Sequence, residues 1–289
     1  MFSSNTSQTS SDVNYIEDVF STWLYDGNSS TQTITNGIDL STKGGLVWLK
    51  ARNQAYTAGH VLTDTVRGAG NLLRSQTTNG NEYDITQLSA FTSSGFTLGT
   101  GVSNISPTTY VSWTFREQPK FFDVVKRTST GGTNWAVYHR SLANTEYILL
   151  NTTAAKATGA TYWNSTTPTS TVFSLGTDAA VNGSGSSYVA YIFAHDAGGF
   201  GLTGTDNVIS CGSFTTNASG IATVTLGYEP QWVLIKRTNS TSEWHMLDNM
   251  RGFSQTIDAW LRANSSAAEN STYKIATPTA TGFVTDGTN

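Results

Sequence analysis

The sequence predicts an all-β protein: tandem antiparallel β-sandwich domains built from three internal repeats, the third incomplete. Three observations predict it. Thr, Val and aromatic residues, which suit a pleated and half-buried surface, dominate, and runs of Ala, Glu, Lys and Leu at helical spacing are nearly absent. Gly-, Asn-, Ser- and Thr-rich clusters separate short alternating segments such as Tyr110–Phe115, the pattern of many short strands joined by turns. The chain also repeats itself: "KRTSTGGTNWAVYHRSL" at Lys126 returns as "KRTNSTSEWHMLDNMRG" at Lys236.

Each copy opens on an apolar strand ending in a Lys: "GLVWLK" at Lys50, "FDVVK" at Lys126 and "WVLIK" at Lys236. An Arg follows, in a short helix or turn, at Arg67, Arg140 and Arg251. A Leu then closes a short apolar run, at Leu73, Leu150 and Leu261. A Phe comes next, at Phe96, Phe173 and Phe283, which is 46, 47 and 47 residues after the Lys. Copies one and two end in an alternating aromatic strand, "TYVSWTFRE" and "SYVAYIFAHD". The same spacing places a closing strand of copy three near position 302, beyond Asn289. Copies one and three begin with a hairpin that turns near Gly27-Asn28 and Asn217-Ala218, whereas copy two has only "KFFDVVK". The expected organisation is a polar arm over 1–14 and β-sandwich repeats over 15–118, 119–205 and 206–289, set in series. "HDAGGFGLTGTDN" is expected to be a flexible connector; it resembles a calcium repeat only loosely, since Thr203 stands where an Asp is needed.

Composition narrows the function. Charged residues make up 12%, about half the usual share. The net charge is −4 with no basic patch, which argues against a nucleic-acid partner. No stretch approaches the roughly 18 apolar residues of a membrane helix, and the polar start does not read as a secretory signal. The lone Cys211 in "NVISCGSF" reads as a small buried strand residue.

No catalytic constellation is legible. The four His residues lack metal-pair spacing, and there is no H-E-x-x-H, G-x-S-x-G, P-loop or paired-carboxylate strand. The expectation is a protein that is not an enzyme and needs no cofactor or metal. His139 and His245 lie in equivalent segments and read as scaffold. Asp64 and Asp248, each just ahead of the Arg landmark, read as a repeated surface or edge ion pair. Trp48 and Trp232 read as core. Trp135 and Trp244, at matching places beside turns, are the candidate ligand-binding residues: exposed, they would offer flat faces to sugar rings.

The phrases "YIEDVFSTWLYDGN", "NGIDLSTKGGLVWLKARN", "VSWTFREQPKFFDVV", "GTNWAVYHRSL", "YVAYIFAHD", "EPQWVLIKRT" and "DNMRG" resemble a family of phage virion, tail-fibre-like proteins of marine and cyanobacterial phages. The resemblance covers nearly the whole chain after residue 14. It implies concanavalin-like or jelly-roll sandwiches in a virion appendage and no catalytic residues. The shortened start of copy two departs from the family pattern. The expected function is therefore structural: part of a tail or neck fibre of a tailed phage, involved in attachment to the host surface. The alternatives are a capsid head decoration protein and a carbohydrate-binding lectin module. The expected partners are other virion proteins, a host surface glycan and copies of the chain itself, a trimer being favoured.

Overall fold

The computed structural model describes residues 13–53, 59–127, 133–253 and 256–287. Most of the polar arm, residues 1–12, lies outside them. The described chain is all-β, built from antiparallel sheets. Its helical elements are a 3-10 turn at Ile16–Asp18 and one α-turn at Ala179–Asn182. The Arg landmarks Arg67 and Arg251 sit in turns.

The first repeat contains β1 (Phe20–Asp26), β2 (Gln32–Thr35), β3 (Gly45–Ala51), β4 (Val61–Asp64), β5 (Asn71–Leu72), β6 (Glu82–Tyr83), β7 (Leu88–Thr92), β8 (Gly95–Leu98) and β9 (Thr109–Arg116). One sheet runs β1-β9-β3-β4 and faces a second, β2-β8-β7. Ile34, Val47, Leu49, Phe96, Leu98 and Tyr110 fill the space between them, the expected sandwich.

The second repeat contains β10 (Phe122–Arg127), β11 (Ala136–Val137), β12 (Glu146–Leu149), β13 (Ala157–Thr158) and β14 (Tyr188–Phe193). The aromatic strand β14 pairs with β10, and β11-β12-β13 form a small sheet. Its private core is little more than Tyr162, Trp163 and Val181. The missing hairpin has removed the apolar strands that build a facing sheet in the other two repeats.

The third repeat contains β15 (Thr223–Thr225), β16 (Trp232–Lys236), β17 (Trp244–Asp248), β18 (Trp260–Arg262), β19 (Ala276–Thr279) and β20 (Gly282–Thr285). Sheets β16-β17-β18 and β15-β20-β19 enclose Leu247, Trp260, Ala276 and Phe283.

Sequence alternation explains the first and third sandwiches but not β3. All seven residues of β3 are buried, polar Lys50 included. Val47, Leu49 and Ala51 face the first repeat's own core, while Leu46 and Trp48 face a second one. That second core is common to all three repeats. Trp48, Trp113 and Phe115 of the first repeat meet Phe122, Val124, Ile148 and Leu150 of the second and Trp244, Met246 and Leu261 of the third. The repeats therefore do not lie in series as expected; they close on one another. The Gly-rich connector takes part: Phe200 is buried, its ring 5.9 Å from that of Phe121. It is pinned rather than free. Cys211 is half-buried and outside any strand, again unlike the expectation.

Glycine marks the repeat at one tight place. Gly95 and Gly282 each precede the landmark Phe, with φ of +148° and +155°. A Cβ at either would lie 2.0 Å from the Ile34 carbonyl oxygen or 1.9 Å from that of Val224 on the neighbouring strand. Gly282→Ala is expected to cost roughly 1–3 kcal/mol from backbone conformation alone, more with the clash, read as a lower urea midpoint. Gly227→Ala is the comparison, since it has a positive φ but nothing within 4 Å.

Candidate functional site

Ionisable and indole N–H groups gather where the repeats meet. Asp64 ends β4 and Asp248 ends β17, and each is followed by a turn carrying Arg at the third place. The Arg backbone N–H donates to the Asp Oδ1, at 2.9 Å for Arg67 and 3.0 Å for Arg251. The guanidinium Nε donates to Oδ2 at 2.6 Å in both. Another guanidinium nitrogen reaches back to the strand, to the carbonyl of Leu62 at 2.9 Å or of Met246 at 3.0 Å. A third donates to Asn81 or to Glu269. The two clusters are the same staple built twice.

These pairs are not surface features. Both Asp side chains are fully buried, as is that of Arg251, and Arg67 is nearly so. Each Asp is finished by an aromatic from a different repeat. Tyr191 of the second repeat donates its hydroxyl to Asp64 at 2.9 Å. Trp113 of the first repeat donates its indole N–H to Asp248 at 2.9 Å. Burial, countered in part by Arg67, pushes the Tyr191 phenol well above its ordinary range, so it stays a donor. Trp113 and Tyr191 occupy the same place in the aromatic strands β9 and β14, where each is paired two residues before its Phe. The second repeat has no third staple: it is two residues shorter here, and Val137 stands three before Arg140, which is exposed.

A second set of ties runs around the shared core. Trp135 donates its indole N–H to the carbonyl of Arg74 at 3.0 Å, from the second repeat to the first. Trp244 donates to the carbonyl of Leu149 at 2.9 Å, from the third to the second. His60 Nε2 lies 2.8 Å from the carbonyl of Arg262, joining the first to the third and closing the ring. The three positions are equivalent by their own supports. The backbone N–H groups of His60, Trp135 and Trp244 donate to Gln76, Asn151 and Asn264 side chains, and each accepting carbonyl lies two residues before that amide. Hence the apolar landmark of the second repeat is Ile148 rather than Leu150. His139 and His245 share a segment but not a position, because His245 follows the ring residue and His139 precedes the Arg.

The same frame relates further contacts. The Lys156 N–H donates to the Thr238 carbonyl and the Glu269 N–H to the Arg52 carbonyl. Glu269 also forks onto Arg52, at 3.0 and 2.8 Å, and reaches Arg251 at 3.2 Å. Lys50 lies buried near this network and donates to its neighbour's carbonyl at 2.7 Å. Its pKa is pushed down to about 8, by burial first and by Arg251 next, against the pull of Glu269. His60 is pushed down to about 3, by burial first and then by Lys50. Trp48 donates to His60 Nδ1 at 2.7 Å, which leaves Nε2 to carry the proton toward Arg262.

The expected ligand residues are thus structural. Trp244 is buried, and half-buried Trp135 is stacked against Tyr191 with centroids 6.1 Å apart. The indole N–H of each is held by a backbone carbonyl of another repeat, as an indole that is buried or half-buried requires. Elsewhere Ser210, Asp196 and His195 lie together. The Ser210 hydroxyl donates to Asp196, and His195 Nδ1 accepts the Cys211 backbone N–H. Among the described residues no three His, Cys, Asp or Glu side chains are grouped to hold a metal.

A family model, a domain of unknown function (DUF7483), matches residues 16–121 and again 115–285. This chain belongs to the DUF7483 family. The first DUF7483 match coincides with the first repeat, and the second takes in repeats two and three together, joined across the same shared core. No curated protein and no solved structure matches the chain.

Proposed function

We propose that this DUF7483 chain is a non-catalytic structural protein of a tailed-phage virion, part of a tail or neck appendage that meets the host surface, assembled as a homo-oligomer. One observation supports the structural reading most. The buried chemistry-bearing groups, from His60 and Asp64 to Asp248, Arg251 and Glu269, are spent on ties between repeats. A ring of repeats locked from inside suits a part that carries load and resists proteases. The virion assignment rests on the resemblance of the sequence to phage appendage proteins. Gold-labelled antibody against the chain, viewed on purified particles by electron microscopy, tests it. Label at the tail or neck is the expected outcome. Label spread over the head would mean a decoration protein, and unlabelled particles would end the virion reading.

A further inference from the structure

The chain contains three Asn-Gly pairs, Asn36-Gly37, Asn79-Gly80 and Asn182-Gly183. In such a pair the glycine backbone nitrogen can attack the asparagine side-chain amide carbon, because no side chain on the glycine stands in the way. The attack needs a glycine N–H without another partner and an amide free to turn toward it.

Two of the pairs are held against it. Asn36 is buried; its Nδ2 donates to the Thr114 hydroxyl at 2.8 Å and its Oδ1 accepts the Ile38 N–H at 3.2 Å. The Gly37 N–H donates to the Ser94 carbonyl at 3.1 Å. Asn182 ends the α-turn, and its Nδ2 donates to the Gly176 carbonyl at 2.6 Å. The Gly183 N–H donates to the Tyr188 hydroxyl at 2.7 Å.

Asn79 differs in each respect. It is exposed, and residues 78–81 lie outside any strand, in the loop between β5 and β6. Among the described residues nothing accepts the Gly80 N–H. The Asn79 amide donates to the Glu82 carboxylate at 3.3 Å, a long surface bond that water replaces at little cost. The same loop serves the junction of the repeats. Its Arg74 carbonyl accepts from Trp135, its Ser75 hydroxyl donates to the Ala263 carbonyl, and its Gln76 side chain accepts the His60 backbone N–H. Asn81, at its far end, accepts from the staple residue Arg67.

We propose that Asn79 is a self-modification site, deamidated by the backbone nitrogen of Gly80, and that the product loosens the loop that ties the first repeat to the other two. The Gly80 nitrogen gives its proton to hydroxide and bonds to Asn79 Cγ. The Cγ–Nδ2 bond breaks, and ammonia leaves with a proton taken from water, so that a cyclic succinimide remains. Water then opens the ring. Opening at Cγ gives aspartate; opening at the main-chain carbonyl gives isoaspartate, in which the backbone runs through the side chain. Nothing is oxidised or reduced. Either product sets a carboxylate beside Glu82, which already holds Arg74 at 3.2 Å. Isoaspartate also lengthens a loop that is tied at Gln76 and at Asn81.

The test holds the full chain in buffers from neutral to mildly alkaline pH and maps its digests over time by mass spectrometry. Conversion is expected first at Asn79, faster as the pH rises, and as a mixture of aspartate and isoaspartate. Asn36 and Asn182 should convert at least about tenfold more slowly, because each must first give up the hydrogen bonds that hold it. In urea the three should converge. Gly80→Ala, whose Cβ hinders the attack, should slow conversion of Asn79 alone. The converted chain should exchange amides faster over residues 71–83. Equal rates at the three sites in the folded chain would overturn the proposal, as would an intact Asn79 under conditions that convert the unfolded chain. Unchanged exchange over 71–83 after conversion would overturn the effect assigned to the loop.

Discussion

Asp248→Ala is expected to remove about 3–5 kcal/mol from the unfolding free energy, the range found when one partner of a buried ion pair is lost. The substitution leaves the Arg251 guanidinium, whose side chain is fully buried, facing Glu269 and the Met246 carbonyl. It also strips the Trp113 indole N–H of its acceptor and loosens the turn that the Asp holds through the Arg251 backbone. The Arg251 guanidinium lies 5.3 Å from the Trp113 ring centroid, so the charge cannot turn away to water without breaking the shared core. Urea unfolding at neutral pH measures the loss. The double replacement Asp248→Leu with Arg251→Met should recover much of it, because removing both charges avoids burying one alone. A loss below about 1 kcal/mol for the single variant would show that the staple is not carrying the junction.

The second large effect is a pH dependence centred on His60. Its folded pKa, about 3, lies below the ordinary value of 6.5. Below pH 6.5 the unfolded chain therefore binds a proton that the folded chain refuses. Stability from this residue is complete above pH 6.5 and is lost as the pH falls toward 3. The slope is about 1.4 kcal/mol per pH unit and the whole window is on the order of 5 kcal/mol. The cause is geometric. Nδ1 already accepts from Trp48, Nε2 already serves the Arg262 carbonyl, and a charge there would face Lys50 and Arg251. His245, pushed down to about 4, adds a slope of the same sign, so a variant is needed to isolate His60. His60→Gln, which can still accept and donate, should lose roughly 2–3 kcal/mol less than the parent between pH 6.5 and 4.5. Parallel pH profiles for the two proteins would remove His60 from this role.

Much of the architecture was legible in residues. The all-β class followed from alternation and turn composition, and the repeat from landmarks such as Arg67 and Arg251, which do occupy one structural place. The Asp residues ahead of them were rightly paired with Arg. Spacing alone reads them as surface pairs, and the structure buries both, because a D-x-x-R turn reads the same whether water or another repeat lies above it. Trp135 and Trp244 were rightly matched to each other, but their exposure is a tertiary fact. The third member of their set was hidden for a chemical reason. An imidazole at His60 does what an indole does at the other two places, offering one N–H to a carbonyl, and the letters share nothing else. The second repeat also loses two residues between its Trp and its Arg, which shifted the apparent match from Ile148 to Leu150.

The closed ring has a consequence for how the protein is made. His60 waits for a carbonyl 202 residues further along the chain, and Arg52 for a carboxylate 217 away. When β9 leaves the ribosome the first sandwich can form, yet the face bearing Trp48 and Trp113 has nothing to cover it. The third repeat follows only after some 150 further residues, roughly 7–30 s at ordinary rates of synthesis. During that interval the nascent chain shows an aromatic surface that the finished protein hides. Yield in a heterologous host should then depend on translation speed and on chaperones that shield such surfaces, more than on the stability of the folded product.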